Sequence, residues 1–302
     1  MPKLSNTGTD IQSPVVTYSK FSAFLQLTKF RLGSLVVFSA VITYLTVAEH
    51  IDWKQLTALC IGGFLVTSAA NGFNQIIEKD LDKLMDRTKN RPMPTNSLNN
   101  AEAMVFCALM GIGGTILLWT YTNALSGILG FISIVLYALV YTPLKRRTPF
   151  SVLVGAFPGA IPTLIGAVAA TEGFGHVTFF ALLLFSIQFF WQFPHFWSLA
   201  WFNDEDYKRA SFYMLPSSGG KDNASKFQIL LYTAILLIVS TFPFVFHYVG
   251  LLSMSAVVIC GLAMLLQAYN FYRLSTDQQA KKLFFTTLIY LPVVQLALMT
   301  KI

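Results

Sequence analysis

Four side chains with ligand oxygens stand at intervals of four residues in one segment of the sequence: Asn74, Glu78, Asp82 and Asp86. Each step of four residues drifts by only about 40° around a helix, so a helix continuing through the segment would carry all four on one stripe. Carboxylates at this spacing repel each other, and they do so more strongly near a low-dielectric boundary. The stripe therefore predicts a bound cation.

The chemistry of the segment favours magnesium and a phosphate ester. Mg²⁺ commonly binds one or two protein carboxylates and shares the rest of its coordination shell with phosphate oxygens. Arg87, Lys89 and Arg91 follow directly and are suited to hold phosphate oxygens. Pro92 and Pro94 are expected to end the helix. The segment thus predicts a site for Mg²⁺ and a diphosphate; the alternative is a solvated loop whose acids and bases pair on the surface.

The composition indicates that membrane helices must position this segment. The 302 residues are 55% hydrophobic and only 12% charged, which excludes a soluble enzyme, a disordered chain and a disulfide scaffold. The net charge of +7 resides in loops rather than on a stripe, so no nucleic-acid partner is predicted. Cys60, Cys107 and Cys260 stand singly in apolar runs and are expected to be packing residues.

Charge-free stretches predict how often the chain crosses the bilayer. A span needs about 20 helical residues, and the stretches 103–144 and 227–272 are each about twice that length. Both are expected to reverse, at 122–127 and 247–250, where polar and glycine residues interrupt them. With the five shorter stretches, this predicts an all-α bundle of nine membrane-spanning helices around a central cavity. The five shorter stretches are 32–48, 55–77, 148–171, 173–203 and 283–300.

The basic residues predict the orientation of the bundle. Nine spans with a cytoplasmic N-terminus place 19 of the 21 lysines and arginines on the inside, leaving only Lys54 and Lys301 outside. We expect a single domain over residues 1–302, with residues 1–19 as a flexible N-terminal segment. Residues 1–30 contain no arginine and show no cleavage site, so we expect a bacterial inner membrane protein whose site faces the cytoplasm.

Several motifs in the sequence resemble those of a known family. The run from Asn74 to Asp82, with Asp86-Arg-Thr-Lys-Asn-Arg-Pro92 after it, resembles the aspartate-rich first motif of the intramembrane aromatic prenyltransferase (UbiA) superfamily. Two further runs, 141–147 (YTPLKRR) and 191–200 (WQFPHFWSLA), are similar to the haem O synthase branch, as is Asp206-Tyr-Lys. The resemblance extends over residues from about 20 to 300.

The resemblance implies a reaction and its participants. The expected reaction transfers the farnesyl group of farnesyl diphosphate to a vinyl group of haem B, releasing diphosphate and giving haem O. It implies Mg²⁺ as the cofactor, the lipid bilayer as the surroundings, and haem A synthase or an oxidase assembly factor as a downstream partner. The alternatives are a related prenyltransferase acting on a quinone or chlorophyll precursor, and a haem or lipid transporter.

The resemblance also assigns roles to individual residues. It implies that Asn74, Glu78 and Asp82 bind one Mg²⁺ with Asp86 nearby, and that Asp206 belongs to a second acidic motif that also holds metal. The residues expected to bind the diphosphate are Arg87, Arg91, Lys145, Arg146 and Lys208.

The sequence departs from the superfamily pattern at two positions. Glu78 replaces a more usual aspartate, and Phe202 stands where the second motif would have a paired carboxylate. A second metal ion is therefore open, with Asn203, Asp204 and Glu205 as substitutes for the missing ligand.

His195, within a predicted span, is the histidine to which we assign a candidate functional role. An intramembrane histidine is costly and usually has a partner. Two readings stay open: a hydrogen bond to a neighbouring helix, or a place in the substrate cavity in contact with haem, including as an axial ligand.

Overall fold

The structure is a computed structural model that describes residues 18–300, and every regular element in that range is a helix. Residues 1–17 of the expected flexible N-terminal segment lie outside the described residues. The helices are α1 (Lys20–Leu27), α2 (Phe30–Val47), α3 (Trp53–Ile77), α4 (Lys79–Asp82), α5 (Asn100–Tyr121), α6 (Ala124–Val135), α7 (Thr142–Leu144), α8 (Ser151–Ala169), α9 (Phe179–Phe202), α10 (Asp204–Arg209), α11 (Asn223–Val245), α12 (Leu251–Leu274) and α13 (Asp277–Ala297), with a π-helical segment Leu136–Tyr141 between α6 and α7.

Nine helical stretches within residues 18–300 are long and apolar enough to cross a membrane, which confirms the predicted number of spans. The first joins α1 and α2, and the fourth joins α6, the π segment and α7. Both predicted reversals are present, since α5 ends at Tyr121 before α6 begins at Ala124, and α11 ends at Val245 before α12 begins at Leu251.

Polar side chains define where several spans begin. The Asp52 carboxylate accepts the backbone N–H of Lys54 at 2.7 Å, and Asn99 forms a reciprocal capping box with Glu102. Asn123 caps α6 and also donates to the carbonyl oxygen of Val168 at 2.7 Å. These contacts satisfy backbone groups that a helix end leaves without intrahelical partners.

Glycines set the closest approaches between spans. A Cβ on Gly114 would lie 2.9 Å from the carbonyl oxygen of Gly62 in α3, and one on Gly166 would lie 2.1 Å from that of Ala40 in α2. Both obstacles are backbone atoms of a packed helix and cannot move aside. The pairs α3–α5 and α2–α8 therefore depend on small residues at the contact, as is typical of helices that associate in lipid.

Hydrogen bonds between side chains link α2, α9 and α13 inside the bundle. Gln295 donates to the Gln188 side chain at 3.1 Å and accepts from Ser39 at 3.2 Å. The Trp191 indole N–H donates to the carbonyl oxygen of Thr287 at 2.8 Å. In a membrane, apolar packing alone does little to fix how neighbouring helices are rotated against each other. Hydrogen bonds such as these fix that rotation.

The π segment interrupts the fourth span immediately before the basic run at 145–147. The Thr142 hydroxyl donates to the carbonyl oxygen of Tyr137, five residues back, at 2.8 Å. A π turn holds one residue more than an α turn and thereby changes the direction in which the following side chains point. It sets the direction of Thr142 and of the residues that follow α7.

Candidate functional site

The first acidic segment does not continue as one helix, so the predicted stripe of four is wrong at its last member. α3 ends at Ile77, and the amides of Glu78 and Asp82 still donate four residues back, at 2.9 and 2.7 Å. After Asp82 the chain turns, because the Asp82 carbonyl oxygen accepts the Thr88 hydroxyl at 2.9 Å instead of the amide of Asp86. Helical spacing therefore persists from residue 74 to residue 82 and ends there.

Asn74 and Glu78 both contact the end of the fourth span. The Asn74 amide nitrogen donates to the Thr142 hydroxyl at 3.0 Å, and the Glu78 carboxylate pairs with the Lys145 ammonium. Asn74, Glu78 and Lys145 are all buried. Two elements distant in sequence thus meet at one buried ion pair.

Lys145 is held between aromatic rings. Its ammonium lies 5.0 Å from the ring centroids of both Tyr141 and Phe212, at a distance suited to cation–π attraction. The Tyr141 ring fits because Gly155 in α8 has no side chain: a Cβ there would lie 2.7 Å from the ring.

Asp82 is completely buried and pairs with Arg91. One guanidinium nitrogen of Arg91 donates to both carboxylate oxygens, at 3.0 and 2.8 Å. Burial raises the pKa of Asp82 from its ordinary value, and the Arg91 charge opposes that rise. The ion pair is the interaction that favours the ionised carboxylate at this depth.

Lys29 joins these residues, and the sequence analysis missed it. It lies between α1 and α2 in the left-handed conformation, at a φ of 50°. Its ammonium is within electrostatic reach of Arg91, Lys145, Glu78 and Asp82, although, within the described residues, it forms no ion pair with either carboxylate. In the sequence Lys29 is one of four basic residues before the first charge-free stretch, and nothing there distinguishes it from its neighbours.

We call the group of Lys29, Glu78, Asp82, Arg91 and Lys145 the charged cluster. It holds three cations and two carboxylates. Basic side chains therefore outnumber carboxylates in a largely buried place, which makes the cluster suited to bind an anion.

The second acidic segment lies against the turn that follows Asp82. The Asp206 carboxylate accepts the backbone N–H groups of Asp86 at 3.2 Å and of Arg87 at 3.1 Å. Arg209 pairs with Asp206 and also with Asp86, the latter at 2.7 Å. Asp206 is buried.

Asp86 lies at the surface, outside the charged cluster. Its side chain is 58% exposed and forms ion pairs with Lys89 and Arg209. Hydrogen bonds from Lys89 and Arg209 lower the pKa of Asp86 below its ordinary value. The surface-pairing alternative is therefore correct for Asp86, and also for Asp80, which pairs with Lys83 at 2.8 Å.

Three predicted diphosphate ligands are exposed rather than gathered in the cluster. Arg146, next to the buried Lys145, is exposed. Lys208 turns to the surface and pairs with Asp204 at 2.7 Å. Arg87 is exposed and donates to the Tyr207 hydroxyl at 3.3 Å, at the rim of the cluster.

The proposed substitutes for the missing carboxylate have other contacts. Asn203 donates to the carbonyl oxygen of Leu199 at 2.9 Å, Asp204 pairs with Lys208, and Glu205 is exposed. Neither of these two contacts involves a residue of the charged cluster.

His195 is in α9 and contacts α13. Its Nδ1 forms a hydrogen bond with the Thr287 hydroxyl at 2.8 Å, and its ring stacks on Trp191 and Phe284. The hydrogen bond to a neighbouring helix is confirmed, and contact with haem stays a prediction.

A hollow of about 330 Å³ opens between α2 and α3, lined by Ser34 and Phe64 among others. The central cavity likewise stays a prediction.

The donor set at the end of α3 fits one Mg²⁺ ion that shares its shell with a phosphate. Asn74 donates through its amide nitrogen to Thr142, which leaves its oxygen for a cation. Glu78 Oε1 is buried without a well-formed hydrogen bond, although the Lys145 ammonium lies beside it. Over residues 18–300, no group of three or more His, Cys, Asp or Glu side chains is placed to hold a metal. An amide and two carboxylates remain, as Mg²⁺–phosphate sites commonly have.

Comparisons with known proteins agree with this architecture. Residues 35–289 match the UbiA prenyltransferase family. The protoheme IX farnesyltransferase of Christiangramia forsetii is 42% identical over 295 residues, covering 96% of both chains. That of Flavobacterium johnsoniae is 45% identical over 286 residues, covering 92% of this chain and 93% of the relative.

Solved structures share the fold. A digeranylgeranylglyceryl phosphate synthase superposes with a TM-score of 0.77 at 20% identity, over 93% of this chain and 97% of the other. A UbiA homologue from Archaeoglobus fulgidus, bound to DMAPP and Mg²⁺, gives 0.67 at 12% identity, over 91% and 99% of the two chains.

Proposed function

The chain belongs to the UbiA prenyltransferase family, and on that premise we propose that it transfers the farnesyl group of farnesyl diphosphate to a vinyl group of haem B. The products are haem O and diphosphate. The observation that supports this most is the charged cluster, because its basic side chains outnumber its carboxylates and suit a diphosphate at the end of an apolar bundle. The identity of 36–45% to relatives named protoheme IX farnesyltransferase supports haem as the acceptor.

Asn74, Glu78 and Asp82 are the residues that would hold Mg²⁺. The ion would supply positive charge to the leaving diphosphate. The A. fulgidus homologue carries Mg²⁺ together with its prenyl diphosphate, which supports the same requirement in this chain. Asp86 and Asp206 were also expected to hold metal, and their contacts at the surface and in the loop favour other roles.

Lys29, Arg91 and Lys145 are the residues that would bind the diphosphate oxygens. Arg91 and Lys145 each pair with a buried carboxylate, so their charges are preorganised before the substrate enters, and Lys29 is within electrostatic reach of both carboxylates. They stabilise the charge that develops when the allylic C–O bond breaks and its electron pair leaves with the diphosphate. Arg87 would act at the rim, and exposed Arg146 and Lys208 would contribute only long-range attraction.

The acceptor supplies the electrons for the new bond. The π electrons of the vinyl group attack the allylic carbon, and a carbocation forms on the carbon next to the porphyrin ring. Water adds to that carbon and loses a proton, which gives the hydroxyl group of haem O. No protein base is needed for the carbon–carbon bond to form.

His195 is proposed to contact the haem. Its Nδ1 is engaged with Thr287, and this hydrogen bond would orient the ring as second partners orient metal-bound histidines. The test is the absorption spectrum of haem B bound to His195→Ala. An unchanged spectrum together with unchanged turnover would remove haem contact from the role of this residue.

We also propose a bacterial inner membrane, with the N-terminus and the charged cluster on the cytoplasmic side. The distribution of lysine and arginine supports this orientation, with only Lys54 and Lys301 on the other face. The product would pass to haem A synthase or to an oxidase assembly factor.

Membranes containing the chain, supplied with farnesyl diphosphate, Mg²⁺ and one acceptor at a time, test the function. Haem B should give a product with the mass of haem O, together with diphosphate, and Asp82→Asn should abolish both. Product from a quinone or chlorophyll precursor but not from haem B would favour the related prenyltransferase. Movement of haem or lipid across the membrane without diphosphate release would favour a transporter.

A further inference from the structure

We infer that Asp206 is a positioning residue, which holds the turn carrying Arg87 and Arg91 by binding its backbone, and that it is not a metal ligand. The inference rests on the proposed function for the role of those two arginines. It concerns a residue of the second acidic segment, where the family resemblance led us to expect metal binding.

The contacts of Asp206 are those of a cap on a turn. Residues 85–91 form successive tight turns, in which the amides of Lys89 and Arg91 donate to the carbonyl oxygens of Met85 and Thr88, each at 2.9 Å. The amides of Asp86 and Arg87 precede these bonds and donate to Asp206 instead. A carboxylate that accepts the first N–H groups of a turn acts as a helix cap does, here from another part of the chain.

Both oxygens of Asp206 are occupied. Oδ1 accepts the Asp86 amide and pairs with Arg209, and Oδ2 accepts the Arg87 amide. Bonds of this kind to a charged acceptor are roughly twice as strong as neutral ones. A metal ion bound here would have to displace backbone amides of the turn, whereas Asp82 would give up only side-chain bonds from Arg91, and the buried Glu78 Oε1 has no well-formed hydrogen bond to lose.

The rest of the second acidic segment supports the same role. Tyr207 accepts a hydrogen bond from Arg87 at 3.3 Å and lies beneath its guanidinium, 5.5 Å from ring centroid to Cζ. The amide of Tyr213 donates to the carbonyl oxygen of Lys145 at 2.7 Å, and the Phe212 ring lies against the ammonium of Lys145. Residues 206–213 thus contact the side chains of Arg87 and Lys145 and hold both in place.

The two acidic segments therefore have different roles. The first provides the oxygens for the cation, and the second fixes the positions of the arginines. Loss of the Asp206 carboxylate should loosen the turn and weaken binding of farnesyl diphosphate without weakening binding of the metal.

Asp206→Asn tests this, with Asp204→Asn as the matched control. Both substitutions remove one negative charge from α10, but the Asp204 carboxylate pairs with the Lys208 side chain, whereas that of Asp206 accepts backbone amides of the turn. Three quantities are measured on purified protein: trypsin cleavage at Arg87 and Lys89, the affinity for Mn²⁺ with inorganic diphosphate by electron paramagnetic resonance, and the KM and kcat for farnesyl diphosphate.

The expected result for Asp206→Asn is cleavage faster by about tenfold, a KM higher by about fivefold with kcat nearly unchanged, and Mn²⁺ affinity within about twofold of wild type, as two charge-assisted bonds are lost. Asp204→Asn should match wild type in all three. The inference is overturned by unchanged cleavage, or by a loss of Mn²⁺ affinity greater than about threefold whatever the cleavage rate.

Arg209→Gln decides the matter if Asp206→Asn does not accumulate in membranes. It keeps the Asp206 carboxylate and removes the cation beside it. Unchanged Mn²⁺ affinity is expected, whereas tighter Mn²⁺ binding would show a ligand released from competition and would overturn the inference. Cleavage and Mn²⁺ binding need no turnover, so failure of the wild type to farnesylate haem B would refute the proposed function and leave this result interpretable.

Discussion

The two acidic segments differ in what their carboxylates contact. After α3, Glu78 and Asp82 are buried, and each pairs with a basic side chain. Glu78 pairs with Lys145, which follows α7, and Asp82 pairs with Arg91, in the turn after α4. After α9, Asp206 accepts backbone amides and its neighbours pair at the surface. The segments look alike in sequence, since each places acids and bases directly after a long apolar helix.

The difference shows what makes a carboxylate available for chemistry. A side chain whose partner is another flexible side chain can exchange that partner for a substrate or a metal. A side chain bonded to backbone cannot exchange its partners without unfolding the local turn. Substitutions at the buried carboxylates and their partners should therefore cost more activity than substitutions at the surface ion pairs.

Asp82→Asn should cause the largest loss. It removes a proposed cation ligand and leaves the partly buried Arg91 without its carboxylate, so kcat should fall by about 100-fold or more, as happens when a preorganised charge is lost from a buried site. Steady-state farnesyl transfer to haem B is the measurement. Asp80→Asn, two residues away with a side chain 86% exposed, is the control and should keep wild-type activity. Comparable losses in the two variants would contradict the contrast.

Lys145→Met should lower kcat/KM for farnesyl diphosphate by about 10- to 100-fold, because the buried ammonium faces Glu78 and is shielded from solvent. The adjacent Arg146→Met removes the same charge from an exposed position and should change kcat/KM by less than about twofold. Equal effects at the two positions would indicate that only the net charge of the loop matters.

Lys29→Met should raise the KM for farnesyl diphosphate by about tenfold, since it removes one of the three basic side chains of the charged cluster. Arg31→Met, at an exposed position two residues on, provides the comparison and should leave the KM near the wild-type value. An unchanged KM in Lys29→Met would place this lysine outside the binding site despite its electrostatic contacts.

Asp86→Asn should have the smallest effect of the four. Its ion pairs with Lys89 and Arg209 are exposed to solvent, where such pairs contribute little, so activity should stay within about threefold of wild type. Mg²⁺ titration of activity should give the same midpoint as wild type. A shifted midpoint would restore Asp86 as a metal ligand.

The sequence predicts the spans well because length and hydropathy are local properties. It also predicts that Asn74, Glu78 and Asp82 lie together, because helical spacing survives from residue 74 to residue 82. The turn after Asp82 depends on a hydroxyl six residues on, and the cap on that turn comes from Asp206, 120 residues from Asp86. No periodicity could reveal contacts at that separation.

Neighbouring residues show the same limit. Lys145 and Arg146 carry the same charge in the same motif, yet only Lys145 is buried. Which of them faces Glu78 depends on the rotation of α7, and the π segment that sets it has no signature that the sequence analysis used. Lys29 was overlooked for a related reason, because its left-handed backbone is unusual for lysine and cannot be inferred from its neighbours.

The π segment has an evolutionary implication. A π turn can arise from a one-residue insertion in an α-helix, and the reverse deletion would rotate everything beyond it by about 100°. Removing one residue between Leu136 and Tyr141 would therefore swing Thr142 and Lys145 away from Asn74 and Glu78 while leaving the span long enough to cross the bilayer. The length of this stretch, more than the identity of most of its side chains, should be what natural variation in the chain preserves.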